Sequence, residues 1–195
     1  MLARLILCLL LFQALLHTAP AAAQLAKLDV AVKRVDSGNM HVFEVVSSGE
    51  VHAAPAAVWK ILTNYERMPE FVPDLKTTRV LSRSGNRVVL EQYGVARFLF
   101  LSRAIQLVVQ ATEEPMGAID IELVSGDMKV YNCRWELVPT ENGGTRILYT
   151  GKLVPKFYVP GMLGSNIIRA DILRMMGAVL ERLDRPEERA GAARP

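Results

Sequence analysis

One segment that joins a short helix to closely spaced prolines constrains the fold of this chain most strongly. It runs from Ala53 to Asp74 and reads AAPAAVWKILTNYERMPEFVPD. Pro55 suits the first turn of a helix, because the N–H group that proline lacks has no partner there. Apolar residues then recur at helical spacing: Val58, Ile61, Leu62 and Tyr65. A short amphipathic helix is therefore predicted, early in a chain that otherwise reads as strands.

Pro69 and Pro73 are predicted to end this helix and to form an elbow. A residue that precedes proline is pushed out of the helical region, and clustered prolines are typical of turns and loops. The two prolines bracket Phe71, which we expect to lie in an apolar loop.

Four glycine-centred turns divide most of the remaining chain into strands. The turns are Ser37-Gly38-Asn39, Ser84-Gly85-Asn86, Ser125-Gly126-Asp127 and Asn142-Gly143-Gly144. Runs rich in Val, Ile, Thr and Tyr flank each turn, and several alternate apolar with polar residues, which indicates antiparallel strands with one buried face. The predicted strands are Leu28–Val35, Met40–His52, Thr77–Arg83, Arg87–Ala96, Ala104–Thr112, Ala118–Val124, Lys129–Pro139 and Thr145–Val154.

A long amphipathic helix is predicted to close the domain, roughly from Gly161 to Asp184. Its apolar face consists of Ile168, Ile172, Met175, Met176, Val179, Leu180 and Leu183. Arg169 lies near the edge of that face. Asp171 and Arg174 lie on the opposite face, three residues apart, where they can pair.

Residues 1–23 are predicted to be a cleaved secretory signal peptide. Arg4 precedes an apolar run of about 12 residues, and Ala21-Ala22-Ala23 follows. A bilayer-spanning helix needs roughly 20 apolar residues, so this run is too short. Cleavage after Ala23 predicts a periplasmic or secreted protein with one domain over residues 24–184. Residues 185–195 have no apolar period and are expected to be a disordered tail.

Charge and residue types exclude several classes of function. The formal net charge is only +3 and no block of Lys or Arg exists, so nucleic acid binding has no support. Cys133 is the only cysteine after residue 23, so no intrachain disulfide is expected there. His41 and His52 lie an odd number of residues apart on one strand and should face opposite sides. We predict no metal site, no cofactor and no recognisable catalytic set.

The space between the sheet and the C-terminal helix has two interpretations. If the aromatic residues of the sheet pack tightly against Met175 and Met176, the space is an ordinary core. If the sheet curls around the helix, a cavity opens, and methionines adapt well to the irregular apolar shape of such a wall.

The order of elements resembles the START-like helix-grip (SRPBCC) superfamily. Residues 58–73, VWKILTNYERMPEFVP, are similar to its polyketide cyclase/dehydrase and coenzyme Q-binding (Coq10-type) branch, and the resemblance covers about residues 44–184. It implies an α+β helix-grip fold, in which a curved antiparallel β-sheet wraps around the long C-terminal helix, with a short helix and proline elbow after the early strands.

The resemblance also implies a deep apolar cavity that holds a lipid, quinone or polyketide. The residues expected to contact such a ligand are Phe71 over the mouth, Tyr131, Trp135 and Tyr149 on the sheet, and Ile168, Arg169, Ile172, Met175 and Met176 on the helix. Arg169 is the candidate for meeting a carboxylate or phosphate. The alternative is that Arg169 reaches solvent from the edge of the helix.

Three functions stay open at this point. The first is the binding, for sequestration or transport, of a hydrophobic small molecule, by a monomer or weak dimer with transient membrane-surface contact. The second is a cyclase or aromatase of the same fold, with His52, Tyr149 or Arg169 as its essential residues. The third is an envelope domain whose elbow, residues 67–73, docks a partner at a membrane surface.

Overall fold

An eight-stranded antiparallel sheet and a long C-terminal helix make up the fold. The computed structural model describes residues 28–38, 40–98, 101–159 and 163–185. The strands are β1 (Asp29–Ser37), β2 (Met40–Val51), β3 (Leu75–Ser84), β4 (Arg87–Phe98), β5 (Leu101–Glu114), β6 (Ala118–Gly126), β7 (Met128–Pro139) and β8 (Thr145–Pro155). The helices are α1 (Pro55–Leu62), a 3-10 helix (Tyr65–Glu70) and α2 (Gly164–Leu183).

The strand order in the sheet is β1-β2-β8-β7-β6-β5-β4-β3. Strands β3 to β8 form a meander in which each strand pairs with the next along the chain. The hairpin β1–β2 joins this meander through β8, with Phe43 opposite Leu153. β1 therefore extends the sheet of its own molecule and forms one edge, and β3 forms the other.

The predicted turns lie between the strands, and one of them depends on glycine. Gly126 has a φ of +126°, which side chains rarely adopt. A Cβ atom there would also collide with the carbonyl oxygen of Gln106. The close approach of this turn to β5 therefore excludes any larger residue.

The predicted alternation of β7 and β8 is confirmed. Cys133, Trp135 and Leu137 are buried on one face of β7, whereas the residues between them are more exposed. On β8, Ile147 and Tyr149 are buried on the same face of the sheet. This is the concave face, against which α2 packs.

The first helix is shorter than predicted. Pro55 begins α1 as expected, but α1 ends at Leu62, before Tyr65 and before either elbow proline. The Thr63 hydroxyl and backbone N–H both donate to the carbonyl oxygen of Trp59 and so complete the last turn. The chain continues as the 3-10 helix, which contains Pro69, so this proline does not end the α-helix.

The second helix buries almost the whole predicted apolar face. Its buried residues are Gly164, Ile168, Ile172, Met176, Val179, Leu180 and Leu183, and Met175 is half-buried. At its C-terminal end the buried carboxylate of Asp184 accepts the backbone N–H of His52 at 2.8 Å. This contact fixes the end of α2 to the junction between β2 and α1.

The predicted signal peptide, residues 1–23, lies outside the described residues. The predicted tail does so too, except for Arg185. Both stay predictions. Within the described part of the chain, no helix combines the length and the apolar character that crossing a membrane requires.

Candidate ligand-binding cavity

A cavity of about 270 Å³ lies between α2 and one end of the concave sheet face. The strands line it with Val95, Ile105, Leu107, Met128, Tyr131 and Leu153. From α2 it is lined by Ile168, Ile172 and Met175. Val72 and Pro73 of the elbow and Phe157 and Val159 after β8 complete the lining, and we refer to these four residues as the rim. The wall is therefore almost wholly apolar and is built from parts of the chain far apart in sequence.

The charged side chains of the cavity gather along one edge, where the elbow meets α2. Arg174 donates from Nη2 to Asp74 Oδ2 and to Asp171 Oδ1, both at 2.8 Å. Arg97 of β4 donates from Nε to Asp74 Oδ1 at 2.6 Å. Asp74, Asp171 and Arg174 all line the cavity. This ion-pair network, Asp74–Arg97–Asp171–Arg174, ties the elbow to the sheet and to the helix.

The surroundings of Asp171 raise the pKa of its carboxyl group. Partial burial raises this pKa, and the nearby carboxylate of Asp74 raises it further. Arg174 opposes this shift by pairing with the charged form. Asp171 therefore has a stronger tendency to hold a proton than an ordinary aspartate at the surface.

The structure places the nine ligand-contact candidates in two groups. Tyr131, Ile168, Ile172 and Met175 line the cavity. The other five are not among its lining residues: Phe71, Trp135, Tyr149, Arg169 and Met176. That the first four contact a ligand stays a prediction.

Trp135, Tyr149 and Met176 lie deeper in the core than expected. The rings of Trp135 and Tyr149 meet edge to face, with centroids 4.9 Å apart, and both side chains are buried. Met176 is completely buried. These residues belong to the hydrophobic core and are not among the residues that line the cavity.

Arg169 does not meet the cavity. Its guanidinium donates from Nε to the backbone carbonyl oxygen of Val30 on β1, at 3.0 Å. This hydrogen bond fastens α2 to the edge strand β1. Phe71 is half-buried beside the rim residue Val72 and packs against the core.

Cys133 lies between two tyrosines on the concave face. The hydroxyl groups of Tyr131 and Tyr149 hydrogen-bond to its sulfur, and burial raises the pKa of the thiol to about 12. Burial and the neighbouring sulfur also raise the pKa of Tyr149 well above its usual value. At neutral pH all three groups are therefore protonated, and the thiol is not a nucleophile.

The two histidines in the described part of the chain, His41 and His52, lie near the start of β2 and directly after its end. His52 Nδ1 is 3.1 Å from both carboxylate oxygens of Asp184, at the end of the sheet away from the cavity. His41 is exposed and lies 2.7 Å from Asp36 Oδ1. Neither histidine is among the residues that line the cavity.

Sequence reasoning missed the polar edge of the cavity. The spacing of Asp171 and Arg174 indicated a pair, but their place on the polar face of the helix suggested solvent. The sequence position of Asp74, directly after Pro73, placed it next to the elbow but did not indicate that it lines a cavity. Its φ of 64° turns the chain out of the elbow and into β3.

Solved structures of low sequence identity share this fold. The STAR-related lipid transfer protein from Xanthomonas axonopodis is 15% identical, with a TM-score of 0.62 over 80% of this chain and 99% of that one. The Zhui aromatase/cyclase from Streptomyces sp. R1128 is 14% identical, with a TM-score of 0.63 over 75% and 98%. A START superfamily protein from Mycobacterium smegmatis is 18% identical, with a TM-score of 0.62 over 71% and 95%.

Curated proteins provide no match to this chain. A family model described as polyketide cyclase/dehydrase and lipid transport matches residues 51–180, which is most of the described domain. The helix-grip architecture, with its curved sheet and long C-terminal helix, agrees with that match. The chain therefore belongs to the polyketide cyclase/dehydrase and lipid transport family.

Proposed function

We propose that this protein binds a hydrophobic small molecule in the cavity and carries or stores it. The observation that carries this proposal is the cavity itself, with an almost wholly apolar wall and charged groups only along one edge. Apolar area removed from water supplies the affinity, at about 25 cal/mol per Å². The few polar groups at the edge orient the molecule.

The volume limits which ligands fit. Ligand pockets commonly measure roughly 300–1,000 Å³, and this cavity, at about 270 Å³, lies just below that range. A molecule with one chain or one to two rings fits, whereas a lipid with two long chains does not fit without movement of α2 or the elbow. The ligand is therefore a small isoprenoid, a quinone head group, a single-chain lipid or a short polyketide.

The proposed compartment is the periplasm or the exterior of the cell. The support is the leader pattern in residues 1–23, with its cation, apolar run and alanine triplet. Fractionation of cells that produce the protein, with sequencing of the mature N-terminus, tests this part. Cleavage after Ala23 is expected, and a full-length protein in the cytoplasm would contradict it.

A cyclase is the second candidate, and one observation favours it. The cavity wall carries two groups that can hold a proton, Tyr131 and Asp171, and the pKa of both is raised. A general acid in the cavity wall suits a reaction that protonates or dehydrates a bound polyketide. Turnover of a polyketide that disappears in Asp171→Asn, with folding intact, would favour this role over simple binding.

Native mass spectrometry of the protein purified from its own cells tests the binding proposal. We expect a bound molecule of defined mass, released by organic solvent. Met175→Trp fills the cavity from α2 and should abolish this binding. Leu173→Trp is the matched control, because Leu173 is half-buried on the same helix but does not line the cavity.

Circular dichroism and thermal unfolding establish that both tryptophan variants fold. If the protein carries no molecule and takes up none from a cell extract, the proposal is wrong. It is also wrong if Met175→Trp and Leu173→Trp bind equally well, because the ligand then lies elsewhere.

A further inference from the structure

The end of the molecule that holds the ligand cavity also exposes apolar side chains. Tyr158, in the segment after β8, is 85% exposed. Met40 at the start of β2 is 39% exposed, and Leu163 just before α2 is 45% exposed. All three lie where strands and the helix begin or end beside the cavity.

Positively charged side chains line a cleft together with Met40 and Tyr158. This cleft, of about 450 Å³, lies beside the ligand cavity and is lined by Arg34, Lys129 and Lys156 together with aromatic residues. The two clefts share Pro155, Phe157 and Val159 as a common wall. The basic cleft is therefore continuous with the rim of the ligand cavity.

Most of this positive charge is not neutralised by ion pairs between described residues. Lys129 and Lys156 are exposed and have no carboxylate within salt-bridge distance in the described part of the chain. Arg34 pairs with Asp36 at 3.2 Å. Asp127 lies two residues before Lys129, but its carboxylate accepts the backbone N–H of Gln106.

We propose that this end of the molecule, the docking end defined by Arg34, Lys129, Lys156 and Tyr158, binds the surface of an anionic lipid bilayer. Lysine and arginine near a bilayer are attracted by anionic head groups. Tyrosine and apolar side chains settle at the boundary between head groups and acyl chains. The docking end combines both features on one surface.

The position of the ligand cavity next to the docking end, with which it shares a wall, selects a bilayer as the partner rather than an acidic protein. The inference rests on the proposed function, because a hydrophobic ligand that leaves the cavity must otherwise enter water at a high free-energy cost. At the docking end the ligand passes directly between the cavity and the acyl chains. The surface is distinct from the elbow at residues 67–73, which the ion-pair network holds against α2 and the sheet.

Co-sedimentation with lipid vesicles tests the docking end. The purified protein is mixed with phosphatidylcholine vesicles that contain 30 mol % phosphatidylglycerol or none, with the same N-terminus in every variant. We expect binding only to the anionic vesicles and a loss of at least tenfold in affinity for the double variant Lys129→Glu/Lys156→Glu. Tyr158→Ser should weaken binding severalfold without changing the net charge.

Lys60→Glu/Arg87→Glu is the matched control. It makes the same change in net charge, but Lys60 lies on α1 and Arg87 at the far end of β4, both exposed and away from the docking end. We expect it to bind anionic vesicles like the unchanged protein. Equal loss in both double variants would overturn the proposal, because only the total charge would then matter. Equal binding to vesicles without phosphatidylglycerol would overturn it too.

Uptake of N-phenyl-1-naphthylamine from solution separates this inference from the proposed function. Lys129→Glu/Lys156→Glu should take up the fluorescent probe normally while losing vesicle binding. A protein that takes up the probe but ignores anionic vesicles has the cavity function without the docking end. A protein that binds the vesicles but excludes the probe keeps the docking end, and the cavity function fails.

Discussion

The surroundings of a single side chain decide its chemistry, and Cys133 is the clearest example here. The same thiol on the convex face of β7 would ionise near its ordinary pKa of 9.0. Buried between the Tyr131 and Tyr149 hydroxyls, it keeps its proton until about pH 12. Its role is to fill space under the cavity wall.

The raised pKa of Cys133 predicts a dependence of stability on pH. Between pH 9 and 11 the thiol of the unfolded chain loses its proton, whereas the buried thiol keeps it. The folded state then binds more protons than the unfolded state, so the free energy of unfolding falls as pH rises. We expect Cys133→Ala to lose less stability over this range, by up to about 1.4 kcal/mol per pH unit.

Denaturant unfolding at pH 7, 9, 10 and 11 measures this difference. Both proteins carry Cys8→Ser, so that Cys133 is the only thiol in the reference protein. Parallel curves of stability against pH for the two proteins would show that the thiol ionises freely in the folded state.

The alternation of residues predicted which face of the sheet a side chain lies on, but not which residues it packs against there. The alternation along β7 and β8 correctly turned Trp135 and Tyr149 inward. Whether the concave face is filled or open at a given point depends on how closely α2 approaches, and a two-residue period carries no such information. Trp135 and Tyr149 pack on each other, and the cavity opens nearer Tyr131 instead.

Polar contacts with other elements hold the helix α2 near its start, in its middle and just beyond its end. Near its start Arg169 reaches the carbonyl oxygen of Val30. In its middle Arg174 bonds to Asp74 of the elbow. Beyond its last residue Asp184 receives the backbone N–H of His52. The helix that closes the cavity is thus fixed to β1, to the elbow and to the start of α1.

The contact of Asp184 with His52 should depend on the carboxylate more than on the imidazole. The Asp184 side chain is 3% exposed, and it accepts the backbone N–H of His52. This hydrogen bond does not involve the imidazole ring of His52. We expect Asp184→Ala to lower the free energy of unfolding by about 1–3 kcal/mol, the usual cost of an unpaired buried polar group. The His52 side chain is 68% exposed, so His52→Ala should cost less than about 1 kcal/mol.

Urea unfolding of the two single variants tests this order. A larger loss for His52→Ala than for Asp184→Ala would show that the imidazole, and not the backbone N–H, is the important partner.

At the scale of elements, the sequence predicted the helices and strands well and their ends less well. Tyr65 continues the helical spacing of α1, yet α1 stops at Leu62. The hydroxyl of Tyr65 instead donates to Glu113 on β5 at 2.9 Å, a tertiary contact that no local pattern contains. The role of Arg169 was hidden for the same reason, because its partner belongs to β1.

At the scale of the whole molecule, β1 is part of the hydrophobic core although it lies outside the region that the family model matches. The matched region begins at residue 51, the last residue of β2, so it leaves out β1 and nearly all of β2. Yet Val30 on β1 is only 3% exposed and belongs to the hydrophobic core. The sequence predicted this strand but left open whether it joins its own sheet, because pairing partners of an edge strand are not encoded locally.

Val30→Asp should therefore destabilise the protein strongly, by more than about 2 kcal/mol, because it buries a carboxylate without a partner. Ala31→Asp is the control one residue along the strand, where the side chain is exposed on the opposite face. It should change the midpoint of thermal unfolding by only a few degrees. Equal effects of the two variants would mean that β1 is not packed against α2 in solution.

The pairing of β2 with β8 has a consequence for the order in which the chain is made. Arg146 on β8 bonds to Glu50 on β2, 96 residues earlier. The hairpin β1–β2 therefore emerges during synthesis long before its partner strand exists, and an isolated hairpin is at best marginally stable. The meander from β3 onward can form as it is produced, but the first hairpin must wait for residues 145–155. The cavity closes last, when α2 arrives, so any truncated chain presents an open apolar sheet to its surroundings.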